Sequence, residues 1–202
     1  MALLPRDRVT RCVEARARAL QGWREDVWVE RLRTQKYLPG GHYAHHYDWG
    51  SNAGGWGRVS SCMAWVGATD LEGGGTEFPY LPSRSSPVQV GVSEGERKEG
   101  EGELERDEPS KGGSDVGAEK EGSDVGAEED PWCRFVECEG GRVKTGEGGL
   151  GVTFKPVEGN AVFWTNFRAD GSAEGYRETW HAGLPVTKGE KVGLNIWSWG
   201  RI

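Results

Sequence analysis

The chain has 202 residues, ten tryptophans, 33 glycines and a formal charge of −7, enough length for one domain with a sizeable core. Fifteen acidic residues fall between Ser93 and Asp130 against five basic ones, which leaves the remainder close to neutral. It has no basic stripe interleaved with aromatics and no window long and apolar enough for a membrane span, so nucleic-acid binding and a membrane segment are both disfavoured.

Past Pro5, apolar residues at Val9, Cys12, Val13, Ala17 and Leu20 follow helical spacing, with Asp7 as N-cap and Gly22 as the stop. Trp28–Tyr37 reads as one edge-like strand. Gly40-Gly41 makes a turn, and Tyr43–Asp48 is a short extended segment. Residues 52–57 form a glycine-rich loop. Arg58–Ala68 is a central strand, followed by a Gly73-Gly74-Gly75 loop into Thr76–Pro79. From Ser83 to Asp130 the chain has no aromatic residue and contains GSDVGAEKE followed at once by GSDVGAEED. Such a composition buries too little apolar surface to offset chain entropy, so this acidic insert is expected to be disordered.

Short strands are expected again at Cys133–Glu137, Gly151–Lys155, Ala161–Phe167, Thr179–Ala182 and Val192–Trp199. Many short strands, glycine turns and one early helix indicate a mainly β fold with a jelly-roll core. Two parts of one domain, residues 1–82 and 131–202, would then flank the insert at 83–130. The tryptophans are expected to pack a β-rich core. Cys133 and Cys138 either pair across a short hairpin or stay as idle thiols. Gly146-x-Gly148-x-x-Gly151 leads into a strand rather than a helix N-terminus, so it reads as a turn and not as a phosphate loop.

His46 and Asp48 are two apart, on one face of an extended segment. A third ligand from a distant strand, His181, would complete a 2-His-1-carboxylate triad, which leaves one side of Fe(II) open for a co-substrate and O2. Lys191 stands ten residues beyond His181, where a cation would meet the far carboxylate of a dicarboxylic co-substrate. Alone, the His-x-Asp pair is weak, because an edge strand with satisfied imidazoles looks the same; the second cluster strengthens it.

The order Tyr37-x5-Tyr43-x2-His46-x-Asp48, then GGGTEFP, GNAVFW and HAGLPVTKGEK ending in NIWSW resembles prolyl 4-hydroxylase-type 2-oxoglutarate/Fe(II) dioxygenases, in particular their fungal forms. The resemblance spans the chain apart from the insert. It implies a double-stranded β-helix and His46, Asp48 and His181 as iron ligands. It also implies Lys191 on the C5 carboxylate of 2-oxoglutarate, assisted by Thr76 and Tyr37, with Tyr43 and Trp197 lining the cavity. Fe(II), 2-oxoglutarate, O2 and ascorbate are the implied cofactors and co-substrates, and peptidyl proline the implied substrate. A small-molecule hydroxylase of the same class, or an inactive truncated jelly-roll binding module, are the alternatives.

Members of that family usually carry further strands and helices ahead of the position of Arg8, often with a signal anchor. This sequence as written lacks an apolar leader. It reads as cytoplasmic as it stands, and as a protein of the endoplasmic reticulum if its N-terminus is truncated.

Overall fold

A computed structural model describes residues 1–50, 54–83 and 130–202. Apart from Ser83 and Asp130, the segment expected to be disordered lies outside the described residues. The elements, in chain order, are β1 (Ala2–Leu3), α1 (Arg8–Leu20), β2 (Val27–Val29), β3 (Arg33–Tyr37), β4 (Tyr43–His46), β5 (Trp56–Gly73) and β6 (Thr76–Pro82). Beyond the insert come β7 (Cys138–Glu139), β8 (Arg142–Val143), β9 (Leu150–Phe154), β10 (Ala161–Thr165), β11 (His181–Gly183) and β12 (Val186–Arg201).

The strands form a larger antiparallel sheet in the order β1-β3-β12-β5-β10, with β2 also on β12, and a smaller sheet in the order β4-β11-β6-β9. This is the mainly β, jelly-roll architecture expected. Strand β6, before the insert, pairs with β9, after it. Helix α1 starts as the spacing predicts: the Asp7 carboxylate accepts a hydrogen bond from the Thr10 amide at 2.9 Å. Val13 and Ala17 pack on Val29, Leu32, Leu194 and Ile196, whereas Val9 and Leu20 stay exposed.

Strand alternation in β12 then decides the rest. Leu194 and Ile196 face the helix, so Lys191, Asn195 and Trp197 face the other way, into a cavity.

Several boundaries differ from expectation. Trp28–Tyr37 is two strands, both on β12, interrupted where the Glu30 carboxylate binds Arg58 and Leu32 turns into the core. β3 is also interior, with β1 and β12 on its two sides. Cys133–Glu137 is not a strand: Pro131–Arg134 forms a single helical turn, because Pro131 supplies its first residue and Asp130 caps the Trp132 amide. Thr179 likewise closes a helical turn, and the strand begins at His181.

Two strands are long rather than short: β5 and β12 run together along most of their length, with bulges that absorb register shifts. Cys133 and Cys138 form a disulfide. Residues 146–149 form a turn leading into β9, and Gly151 is already in that strand. Of the tryptophans, Trp65 and Trp197 are buried, while Trp23, Trp28 and Trp132 are exposed. Core packing therefore accounts for few of them, since indole faces also cover sheet edges and line cavities.

Candidate metal centre

The antiparallel pairing of β4 with β11 sets His46 directly opposite His181. β4 ends at His46, and Asp48 sits in the turn that follows. The expected extended run to Asp48 is therefore shorter, yet the turn carries the carboxylate back between the two imidazoles. Ligand atoms of His46, Asp48 and His181 all lie within 4.8 Å of one another. His46 Nε2 is 3.7 Å from Asp48 Oδ1, and His181 Nε2 is 4.0 Å from Asp48 Oδ2.

The other ring nitrogens explain this orientation. His46 Nδ1 lies 2.8 Å from the Ala44 carbonyl, and His181 Nδ1 lies 2.8 Å from the Thr179 carbonyl. A carbonyl only accepts, so each Nδ1 is the donor in its contact and each Nε2 is turned toward Asp48. Burial pushes the His181 pKa down against the pull of Asp48, which keeps that ring neutral and able to donate to a metal.

Burial alone would raise the Asp48 carboxyl. The neighbouring His46 and His181 imidazoles and the Ser61 hydroxyl together outweigh it and hold the group below the ordinary carboxylate range. The Trp197 indole N–H donates to Asp48 Oδ2 at 3.0 Å, and Arg58 Nη1 stands 3.8 Å from Oδ1. Arg58 also lies over the Trp197 ring at 3.9 Å and pairs with Glu30 at 2.6 Å. One carboxylate is thus held by an indole and a guanidinium at its back and faces two imidazoles at its front. Two imidazoles and one carboxylate, with one side free, form a donor set that suits a divalent iron.

Lys191 is the largest fully buried side chain among the described residues, 1 % exposed. Its ammonium donates to the Gly74 carbonyl at 2.5 Å and lies 4.6 Å from the Tyr37 ring centroid. Gly74 has φ +72°, and a Cβ there would meet Val186 at 3.1 Å and Lys191 at 3.4 Å, so the glycine permits the turn that aims its carbonyl. No described carboxylate lies within ion-pair reach of Lys191. Burial without a counter-charge pushes its pKa down to about 8. Burial also raises the Tyr37 phenol to about 12, and its hydroxyl donates to Gln35 Oε1.

One cavity is lined by all eight residues singled out in the sequence: His46, Asp48 and His181 at one part, and Lys191, Thr76, Tyr37, Tyr43 and Trp197 around them. Trp197 lines this cavity, and its indole N–H also donates to Asp48.

Gln35 and Asn195 also line this cavity, and alternation from Tyr37 and Lys191 would have found both. Arg58, Trp164 and Phe78 left no such signal. Trp164 and Phe78 pack on the His181 ring, at 4.9 and 5.3 Å between centroids.

No family model matches the sequence, and no curated protein does. Among solved structures, the chain is similar to viral collagen prolyl hydroxylase from Paramecium bursaria Chlorella virus-1. Against a truncated form of that protein the TM-score is 0.50 at 17% identity, over 100% of this chain and 74% of that one. Against its 2OG complex the TM-score is 0.48 at 18% identity, over 98% and 77%. At such identity the likeness speaks to architecture, and the chain has the same jelly-roll fold as a prolyl hydroxylase.

Proposed function

We propose that this chain is an Fe(II)- and 2-oxoglutarate-dependent dioxygenase that hydroxylates prolyl residues of a peptide or protein. One observation carries the reading: a His–Asp–His set with converging Nε2 atoms shares a cavity with a buried ammonium that has no described anion. A buried, unpaired charge is costly to the fold. A site that binds an anionic co-substrate explains its presence.

His46, Asp48 and His181 would hold the metal, with both imidazoles fixed by backbone carbonyls and Asp48 fixed by Trp197. Fe(II), once bound, would supply O2 activation coupled to decarboxylation of 2-oxoglutarate. Lys191 would take the distal carboxylate of the co-substrate, with the Thr76 hydroxyl and the Tyr37 phenol beside it. The Gly74 carbonyl keeps the ammonium pointed into the cavity before the anion arrives. Tyr43, 40% exposed, stands at the solvent side. Ascorbate would serve to restore metal oxidised in unproductive cycles. Peptidyl proline is supported by the sequence resemblance and by the fold shared with a viral collagen prolyl hydroxylase.

Anaerobic titration of the chain with Fe(II) and then 2-oxoglutarate should produce the visible metal-to-ligand charge-transfer band of a chelated 2-oxo acid. Aerobic turnover with proline-containing peptides should then yield succinate and a peptide heavier by one oxygen. Absence of the band rejects the enzyme class. A band with no oxygenated peptide rejects the peptide substrate and turns the search to small molecules.

A further inference from the structure

Phe78 and Trp164, which pack on the His181 imidazole, also wall a second groove that plays no part in the chemistry above. It encloses about 1210 Å³ of solvent-open space, with Phe154, Phe163 and Tyr176 completing its aromatic walls. Glu178 lines it too, and Glu178 Oε2 is buried without a hydrogen-bond partner. No described cation pairs with Glu178. Among the described lining residues the one basic side chain, Arg168, pairs with Glu174 at 3.5 Å and lies 6.0 Å from the Tyr176 ring centroid. The groove therefore offers aromatic faces and one uncompensated carboxylate. Ring faces attract cations, and a carboxylate in the lining with no described cation beside it adds to that attraction.

We propose that this groove takes the lysine or arginine side chain of a bound peptide, a basic residue that flanks the one presented to the metal centre. The peptide context rests on the function proposed above; the preference for a cation rests on Glu178 and the aromatic walls alone.

Fluorescein-labelled peptides with one proline, and with lysine, norleucine or glutamate placed at increasing distance from it, test this by fluorescence anisotropy. The full chain is used without metal, so the readout does not depend on iron chemistry. At one spacing the lysine peptide should bind roughly tenfold tighter than the norleucine peptide, the yield of one cation–π contact and one ion pair together. Glu178→Gln should bring that ratio close to one while the norleucine peptide still binds, and Glu178→Lys should make the glutamate peptide the better ligand. Phe163→Leu, on a ring already 38% exposed, should lower the ratio without touching the carboxylate.

Equal affinity for lysine and norleucine at every spacing overturns the proposal, as does a ratio that survives Glu178→Gln. So does failure of every peptide to bind, an outcome that leaves the enzyme class to the charge-transfer titration. Loss of that band with the lysine preference intact would reject the dioxygenase and keep the groove.

Discussion

Lys191 and Asp48 are both buried ions, and their surroundings separate their roles. Asp48 is surrounded by donors, whereas Lys191 has one backbone carbonyl and an aromatic ring. Replacing Lys191 by methionine removes an unpaired buried charge and keeps most of the volume. Thermal unfolding should therefore show a stabilised protein, by about 1–4 kcal/mol, while calorimetry finds 2-oxoglutarate binding lost.

The pH dependence follows from the same group. With a folded pKa of about 8, below the ordinary lysine value of 10.5, the charged form is disfavoured by folding. That cost is fully present below pH 8 and is relieved as pH rises from about 8 toward the unfolded value, so this residue's contribution to stability increases across that window. Co-substrate affinity runs the opposite way. It should be flat below pH 8 and weaken about tenfold per unit above it, because only the ammonium attracts the distal carboxylate. Tyr37, which faces the same ammonium, titrates only near 12. A constant affinity from pH 7 to 10 would contradict the assignment of Lys191.

For Trp197, exchange to phenylalanine deletes the hydrogen bond that orients Asp48. Divalent metal titration should show affinity reduced about 10–100-fold, the usual cost of losing a group that supports a ligand.

At the level of elements, the turn between β5 and β6 and the strand β12 do most of the positioning. β12 presents Leu194 and Ile196 to α1 on one face and Lys191 and Trp197 to the cavity on the other. A packing change under the helix is therefore felt one residue away in the site. Gly74 is the sensitive point of the turn. Gly74→Ala would put a side chain at φ +72° and against Val186 and Lys191. It should cost about 1–2 kcal/mol of stability and weaken 2-oxoglutarate binding by shifting the carbonyl that holds the ammonium. A variant with unchanged unfolding and unchanged co-substrate affinity would show that this turn is not the support inferred here.

For the molecule as a whole, the metal ligands belong to the smaller sheet and its following turn, whereas Lys191 and Trp197 belong to the larger one. A metal bridged to a co-substrate would tie the two sheets together. Saturation at 100 times the dissociation constant should raise stability by about 2.7 kcal/mol per linked ligand. Melting curves should rise more with a redox-inert divalent metal and 2-oxoglutarate together than the two separate increments predict, and chelator should reverse the gain. Simple additivity would mean that the two sites do not communicate.

Much of this was legible in the linear order. The His46-x-Asp48 pair, His181 and Lys191 stand out because each residue type is scarce or chemically distinctive, and strand alternation tells which neighbours share a face. α1 was readable from its 3.6-residue pattern and its Asp7 cap. What local pattern could not supply was partnership. That Glu30 breaks a strand to reach Arg58, that Arg58 and the Trp197 indole stand behind Asp48, and that Phe78 and Trp164 close on His181 are contacts between residues far apart in the chain. The registers of β4 and β6 on β11, of β10 on β5 and of β12 on β2 and β5 decide them, because pairing between distant strands depends on the packing of both sheets at once, which no short window of sequence contains.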